Sequence, residues 1–390
     1  MDAFYAAVEV QDHPWLKGRP VIVGMGRRGV VSAASYEARS FGIHSAMPIF
    51  QAKKLCPVGV FLPVRMNRYR QVSAMVMDTL LSFTPLVEQV SVDEAYLDLK
   101  GSESLWGPPA EAASAIKRAV RESTGLTCSV GLAPVRFLAK IASDRQKPDG
   151  LTLVEDLEEF LATVRLKEVP GVGEKTLERL RPLGVERLTQ ARALGQARLE
   201  RLLGSFGARL WELAHGIDDQ GVHLGREAKS VSHELTFARD LDGSLPADRD
   251  LLDSHLLLMC QRVASRLRRQ GLAGRIVTLK LKHADFRQVT LRQTLGAATD
   301  FTVDIHEAAR ELLNSYAGGG RFRLMGVGVS GLSPAGTGQA PLFGRERGLR
   351  RASLAKAEDA VRGRFGEKAL VRAGALTALR QGRGDENGED

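Results

Sequence analysis

The sequence predicts a multidomain α+β protein. Three observations carry this. At 390 residues the chain exceeds what a single core usually serves. Its first third alternates short strand-like and helix-like stretches, whereas residues 155–216 read as short helices punctuated by glycine. From Lys229 onward, long strands of alternating polarity surround two helical stretches.

The elements follow in order. Pro20–Val23 (PVIV) and Val30–Ala33 are short apolar runs that predict strands. Asn67–Leu81 places Val72, Met75, Val76, Thr79 and Leu80 at helical spacing. Val87–Val92 and Ala95–Leu99 predict two strands, Ala110–Ser123 an amphipathic helix, and Cys128–Leu132 a further strand. Glycines at 171, 173, 184, 204, 207 and 216 then break the chain into short helices. Residues 217–227, IDDQGVHLGRE, read as a polar linker. A strand over Ser230–Phe237 precedes a long helix over Asp248–Gln270. Strands over Arg275–His283 and Gln288–Leu295, a helix over Asp304–Tyr316 and a strand over Arg321–Ser330 complete the pattern. After Leu332 the chain turns Gly/Pro-rich, then basic, and is expected to be a flexible tail.

Composition narrows the function classes. A net charge of +9 and a pI near 9.6 point to a polyanionic partner. Cys56, Cys128 and Cys260 lie far apart, in neither a disulfide nor a zinc spacing, which fits a reducing cytoplasm. The eight histidines form no metal-binding pattern. No uncharged apolar run reaches ~18 residues, so no membrane span is expected. The opening MDAFYAAVEVQDH lacks the basic start of a signal peptide. The expected location is the cytoplasm, and the expected state a monomer.

Three glycine patterns are decoys. Gly24–Gly29 matches G-x-G-x-x-G after a strand, but Val30-Val31 reads as strand where a dinucleotide site needs a helix. It is read as a hairpin loop. The second match, Gly326–Gly331, lies inside a strand, and Gly173-Glu174-Lys175-Thr176 lacks the glycine before lysine that a P-loop needs.

The stretch Ser91–Asp98, SVDEAYLD, carries the chemistry. Asp93 and Glu94 interrupt a strand-like run, and at a hairpin tip both can turn toward one point. Two close carboxylates repel unless a cation sits between them, and oxygen ligands suit Mg²⁺. An isolated acidic pair is more often an ordinary turn, so context must decide. In Ala34–Arg39, Tyr36 and Arg39 lie three residues apart on one side of a helical turn, a pair suited to gripping a triphosphate. Phe137–Asp144 reads as a buried helix, and Lys147 falls just past its end, free to reach an anion.

Together and in this order, MDAFYAAVE, SYEAR, SVDEAYLD, GLAPVRFLAKIASDRQKPDG and VPGVGEKT resemble the successive motifs of the Y family of DNA polymerases, within it the bacterial DNA polymerase IV group. The resemblance runs from Met1 to about Leu332. It implies a right-hand polymerase, with palm at 1–3 and 67–154, fingers at 4–66 and a helix–hairpin–helix thumb at 155–220. A linker at 221–228, an α/β little finger at 229–332 and a tail at 333–390 would follow. It implies low-fidelity, translesion synthesis from dNTPs on primer–template DNA. Asp93 and Glu94 would hold two Mg²⁺ ions at the primer 3′ end. Tyr36, Arg39 and Lys147 would hold the incoming triphosphate. Tyr5 would be the steric gate that crowds a ribose 2′-OH, with Phe4 beside it in the core.

One departure matters. The family opens with a strand carrying D-x-D, whose first Asp is a metal ligand. Met1 falls at the middle position and Asp2 at the second, non-ligand Asp, so the first carboxylate is missing. The expectation is a start site placed too far downstream, and a chain that polymerises poorly as given. The alternative is a catalytically impaired DNA- or clamp-binding factor.

The remaining expectations concern DNA and a partner. Leu166–Leu188 resembles a helix–hairpin–helix in which Gly171 and Gly173 let backbone N–H groups approach a phosphate. Lys280 and Lys282 share one strand face while Leu279 and Leu281 share the other, and Thr290 and Arg292 alternate likewise. That basic front is expected to lie along a phosphate backbone. Gln339-Ala340-Pro341-Leu342-Phe343 is similar to the pentapeptide by which bacterial polymerases bind the sliding clamp, which makes Gln339, Leu342 and Phe343 clamp-contact candidates.

Overall fold

The computed structural model describes residues 1–225, 227–316, 318–336, 345–366 and 369–380. The chain divides into two compact units, one comprising Met1–Met25 with Gly29–Arg226, the other Gly26–Arg28 with Glu227–Asp390.

The first unit opens with helix α1, Phe4–Asp12, which buries Phe4, Ala6 and Val8. Strand β1, Val21–Val23, is buried at all three residues. It pairs antiparallel with β2, Ala33–Ala34, and parallel with β3, Val60–Leu62. The 24–29 loop therefore joins the two strands of a hairpin, and no helix follows its last glycine. Gly24 is required there: at φ +143° its added Cβ would stand 2.5 Å from the Val30 carbonyl oxygen. Short helices α2, Tyr36–Arg39, and α3, Ile49–Leu55, flank the sheet.

Helix α4, Met66–Leu81, buries Tyr69, Val72, Val76 and Leu80, spaced at three and four residues. Strands β4, Val87–Gln89, and β5, Ala95–Leu97, form an antiparallel hairpin with Gln89 opposite Ala95. Helices α5, Glu103–Trp106, and α6, Pro109–Thr124, follow; α6 packs Ile116 and Val120 against α4. Strand β6, Val130–Leu132, pairs parallel with β7, Leu151–Leu153, through the crossover helix α7, Arg136–Arg145.

Five short helices complete the unit: α8 Leu157–Thr163, α9 Glu174–Leu180, α10 Gln190–Leu194, α11 Gln196–Leu203 and α12 Ser205–Ala214. They share a core of Leu161, Leu166, Leu180, Leu188, Leu199 and Leu210. Part of the predicted polar linker is tied down rather than free. Asp218 accepts from the Phe137 N–H at the start of α7, and the His223 N–H donates to Glu88.

The second unit is one antiparallel sheet backed by helices. Strands β8 Ser230–Asp242, β9 Leu272–His283, β10 Gln288–Thr299 and β11 Arg321–Pro334 lie in the order β10-β9-β11-β8. Helices α13, Pro246–Arg269, and α14, Thr302–Ser315, share one core with Val277, Leu279 and Leu281 of the sheet. These strands run longer than periodicity predicted, because pairing carries the ladder past the stretches of regular alternation.

The tail corrects an expectation. Rather than a flexible segment, the described part after Leu332 contains helix α15, Arg345–Phe365, which buries Ala355, Glu358 and Arg362. Asp359 bonds Ser265 and Arg268 of α13, and Ala378 donates its N–H to Ser254. Of the basic residues that read as disordered, Arg351 pairs with Asp304 at 2.9 Å, and Arg372 with Glu358 at 3.2 Å.

Candidate active site

The β4–β5 turn is closed by the Val90 N–H donating to the Glu94 carbonyl at 2.9 Å, which lifts Asp93 and Glu94 out of the pairing register. Asp93 Oδ1 accepts from the Ser91 hydroxyl at 2.7 Å, and the Met1 ammonium donates to the Asp93 carbonyl at 2.8 Å. Glu94 takes a hydrogen bond from the Lys140 ammonium on α7. Lys140 also lies 3.5 Å from Asp144 one turn on, and Asp144 pairs at 2.6 Å with Lys147.

Asp2 serves a different purpose. Its two carboxylate oxygens are taken by the Ser129 hydroxyl at 2.7 Å and the Asp149 N–H at 2.9 Å. The second bond pins the 147–150 loop, where Asp149 sits at φ 53° and pairs with Lys117 at 3.1 Å. Lys147 is thereby held at the mouth of the site.

Opposite this loop, Ser35 caps α2 by accepting from the Ala38 N–H at 3.3 Å. The cap sets Tyr36 and Arg39 on one side of the turn. The Arg39 guanidinium lies over the Tyr36 ring at 4.7 Å and is otherwise solvent-facing, held by one bond to the Ala34 carbonyl. The Tyr36 hydroxyl is buried with no hydrogen-bond partner in the structure. Burial first, and then Asp2, push its pKa up, so it stays protonated and able to donate. Tyr5 is likewise raised, by burial and then by Asp93.

These side chains meet. Tyr5, Tyr36, Arg39, Asp93 and Lys147 line one cleft of about 210 Å³. Glu94 faces an adjoining, mainly apolar cavity of about 170 Å³ that shares Asp93 and Lys147 with the cleft. Residues from positions 5 to 147 thus converge on a space lined by hydroxyl groups, cationic groups and a carboxylate. It is suited to a ligand that is both polyanionic and cation-bound.

The nucleic-acid candidates lie elsewhere. Gly171, at φ +90°, approaches the Phe206 ring so closely that a Cβ would stand 2.9 Å from it, and Gly173 precedes α9. On the sheet of the second unit, Lys280 sits opposite Thr290 and Gly326, and Lys282 opposite Gln288. Arg292 is exposed opposite Thr278. The front is not purely basic, since Lys280 pairs with Glu234 at 2.8 Å. Gln339, Leu342 and Phe343 fall outside the described residues.

The chain matches the impB/mucB/samB family over residues 1–144 and that family's C-terminal domain over residues 228–342. It also matches the IMS family HHH motif over residues 154–185. It is 41% identical over 379 residues to DNA polymerase IV of Caulobacter vibrioides, covering 96% of this chain and 92% of that one. It is 45% identical over 337 residues to DNA polymerase IV of Alkalilimnicola ehrlichii, covering 85% and 93%. The chain belongs to the Y family of DNA polymerases. Its fold accords: a Y-family polymerase chimera, Dbh-Dpo4(243-245)-Dbh, superposes with a TM-score of 0.73 at 26% identity, over 84% of this chain and 96% of that one.

The chain is therefore a DNA-directed DNA polymerase with the right-hand fold, a helix–hairpin–helix thumb and a C-terminal little finger. Its similarity to polymerases over most of their length does not favour the alternative of a binding factor. Among the described residues no group of three or more His, Cys, Asp or Glu could hold a metal. The candidate site nevertheless fits a hard divalent cation. Two adjacent carboxylates stand beside the cleft, and the Lys140 ammonium already neutralises Glu94. Such a cation commonly takes one or two protein carboxylates and completes its shell with water and phosphate oxygens.

Two residues of this candidate site were not singled out from sequence, Lys140 and Asp144. Burial works against the Lys140 charge, but Glu94 and Asp144 outweigh it and its pKa is raised. Burial likewise opposes the Asp144 charge, yet Lys147 and Lys140 hold its carboxyl below the usual range. The available signal was a lone lysine in the apolar run FLAKIAS.

No helix among the described residues is long and apolar enough to cross a membrane.

Proposed function

We propose that this polymerase adds deoxynucleotides to a primer 3′ end at low fidelity, in translesion synthesis. The supporting observation is the single cleft lined by Tyr5, Tyr36, Arg39, Asp93 and Lys147. Arg39 offers a planar fork for two phosphate oxygens, Lys147 a point charge, and Tyr36 a hydroxyl in need of an acceptor. Tyr5 closes the sugar end against a 2′-OH. Asp93 and Glu94 would hold the two Mg²⁺ ions, which when bound lower the pKa of the primer hydroxyl and offset the charge on the leaving pyrophosphate. The protein's own share is to fix the triphosphate between Arg39 and Lys147, keep the Tyr36 and Tyr5 hydroxyls protonated, and present the Asp93 carboxylate at the junction of both cavities. DNA would be held by the helix–hairpin–helix at Gly171 and Gly173 and by Lys280, Lys282 and Arg292 on the sheet. The segment around Gln339, Leu342 and Phe343 would engage a sliding clamp.

Primer extension with Mg²⁺ and dNTPs tests the reading, with Asp93→Ala as control. Extension that disappears in Asp93→Ala supports it. Extension that survives places the chemistry elsewhere.

A further inference from the structure

Four side chains form a line of alternating charge from one cavity to the other. Glu94 bonds Lys140, Lys140 faces Asp144 at 3.5 Å, and Asp144 pairs with Lys147 at 2.6 Å. The two middle members sit four residues apart on α7, so one helical turn holds them in register. The end members belong to different ligands in the function proposed above, on which this inference rests. Glu94 is wanted by a divalent cation, and Lys147 by a triphosphate.

We propose that Lys140 and Asp144 are positioning residues that couple nucleotide binding to assembly of the metal site. A triphosphate that draws Lys147 away leaves Asp144 with Lys140 as its only cation in the line. The Lys140 ammonium then shifts toward Asp144 and releases Glu94. A divalent cation arriving at Glu94 displaces the same ammonium in the same direction. Each event performs part of the work of the other. The cation affinity rises when nucleotide is bound, and the nucleotide affinity rises by the same factor when the cation is bound.

The geometry favours a movable line over a fixed one. All four side chains retain partial solvent access, between 26% and 50%, so none is locked in the core. The displacement required of Lys140 is short, because it already lies within ion-pair distance of Asp144. Until nucleotide arrives, Lys140 also neutralises Glu94, which keeps the acidic turn from collecting a cation in an empty site.

The test is equilibrium binding with chemistry blocked. The full chain is loaded on a primer–template with a dideoxy-terminated primer, and the Kd of the correct dNTP is read from template fluorescence at low and at saturating Ca²⁺. Part of the tightening by Ca²⁺ arises from chelation by the triphosphate itself and is common to all variants. In Asp144→Asn the remaining tightening is expected to fall about five-fold, with dNTP affinity at low Ca²⁺ improved, because Lys147 loses the carboxylate that competes for it. Asp144→Glu should restore the coupling. Unchanged coupling in Asp144→Asn, in protein whose thermal unfolding matches the parent, overturns the proposal and leaves a static ladder. Glu94→Gln separates this from the underlying reading: Ca²⁺ dependence unaffected by Glu94→Gln means that Glu94 is not at the metal site at all.

Discussion

Tyr5 stacks on Tyr69, with ring centroids 4.1 Å apart and planes 10° from parallel. The Tyr69 side chain is fully buried, and its hydroxyl donates to Glu9 Oε1 at 2.6 Å. Glu9 in turn accepts from Arg65 at 2.8 Å. The proposed sugar gate thus rests on a ring anchored to a partly buried ion pair. Tyr69→Phe keeps the stack and loses one hydrogen bond, at a cost of about 1–2 kcal/mol. Tyr69→Ala removes the support and should cost about 3–5 kcal/mol. Only Tyr69→Ala should degrade selection of dNTP over rNTP, on the order of 10-fold. Thermal unfolding and the dNTP/rNTP ratio of kcat/KM read the two effects separately. Equal sugar selection in both variants would show that the gate does not need the stack.

How far the sequence revealed this arrangement depends on the range of the interactions involved. Asp93 and Glu94 were legible because charge breaks a strand pattern locally. Helix α4 was legible from its periodicity to within one residue. Helix α1 was not, since Ala3–Val8 is small and apolar without a polar face, and its start is set by Ala3 in a left-handed conformation, φ 43°, that no local signal announces. Lys140 gives no local signal beyond a lone charge in an apolar run. Its partner Glu94 lies 46 residues away, and only the fold brings them together. The tail failed for the same reason, because Asp359 finds Arg268 91 residues earlier.

His233 gives the second unit a pH dependence. Burial first, then Arg262 and Arg266, hold its pKa down to about 4, against 6.5 for the free side chain, with Glu234 opposing weakly. Between those values the unfolded chain binds a proton that the native chain does not. Stability therefore rises with pH in that window and is lost as pH falls from 6.5 toward 4. Calorimetry of the full chain at pH 7, 5.5 and 4.5 should show the little-finger transition moving down. His233→Gln should flatten that shift. A parallel shift in the variant would assign the acid sensitivity to other groups.

The sheet front predicts an unequal ranking of its cations. Lys280 is engaged by Glu234 at 2.8 Å, whereas Lys282 lies 5.8 Å from the Phe286 ring, a contact that leaves its charge available. Lys282→Ala and Arg292→Ala should each weaken DNA binding and reduce the slope of log K against log salt by about 0.9. Lys280→Ala should do less. Glu234→Gln frees Lys280 and should tighten binding with a steeper salt slope. Fluorescence anisotropy at several salt concentrations measures all four. Weaker binding in Glu234→Gln would mean that Glu234 orders Lys280 for DNA rather than withholding it.

The docked tail changes how the clamp segment must be tested. Deleting everything after Gly336 removes the proposed clamp contacts, but it also removes Ala375 and Ala378, both buried, and takes Asp359 from Arg268, which is 11% exposed. Losing charge-assisted bonds of this kind costs about 1.5–3 kcal/mol. The truncation should therefore lower the melting temperature of the second unit and depress synthesis with and without clamp. Leu342→Ala with Phe343→Ala leaves the packed tail in place. It should lower clamp-stimulated synthesis alone and leave melting unchanged. If the double substitution instead lowers both activities equally, the segment contributes to the polymerase itself, and the clamp assignment fails.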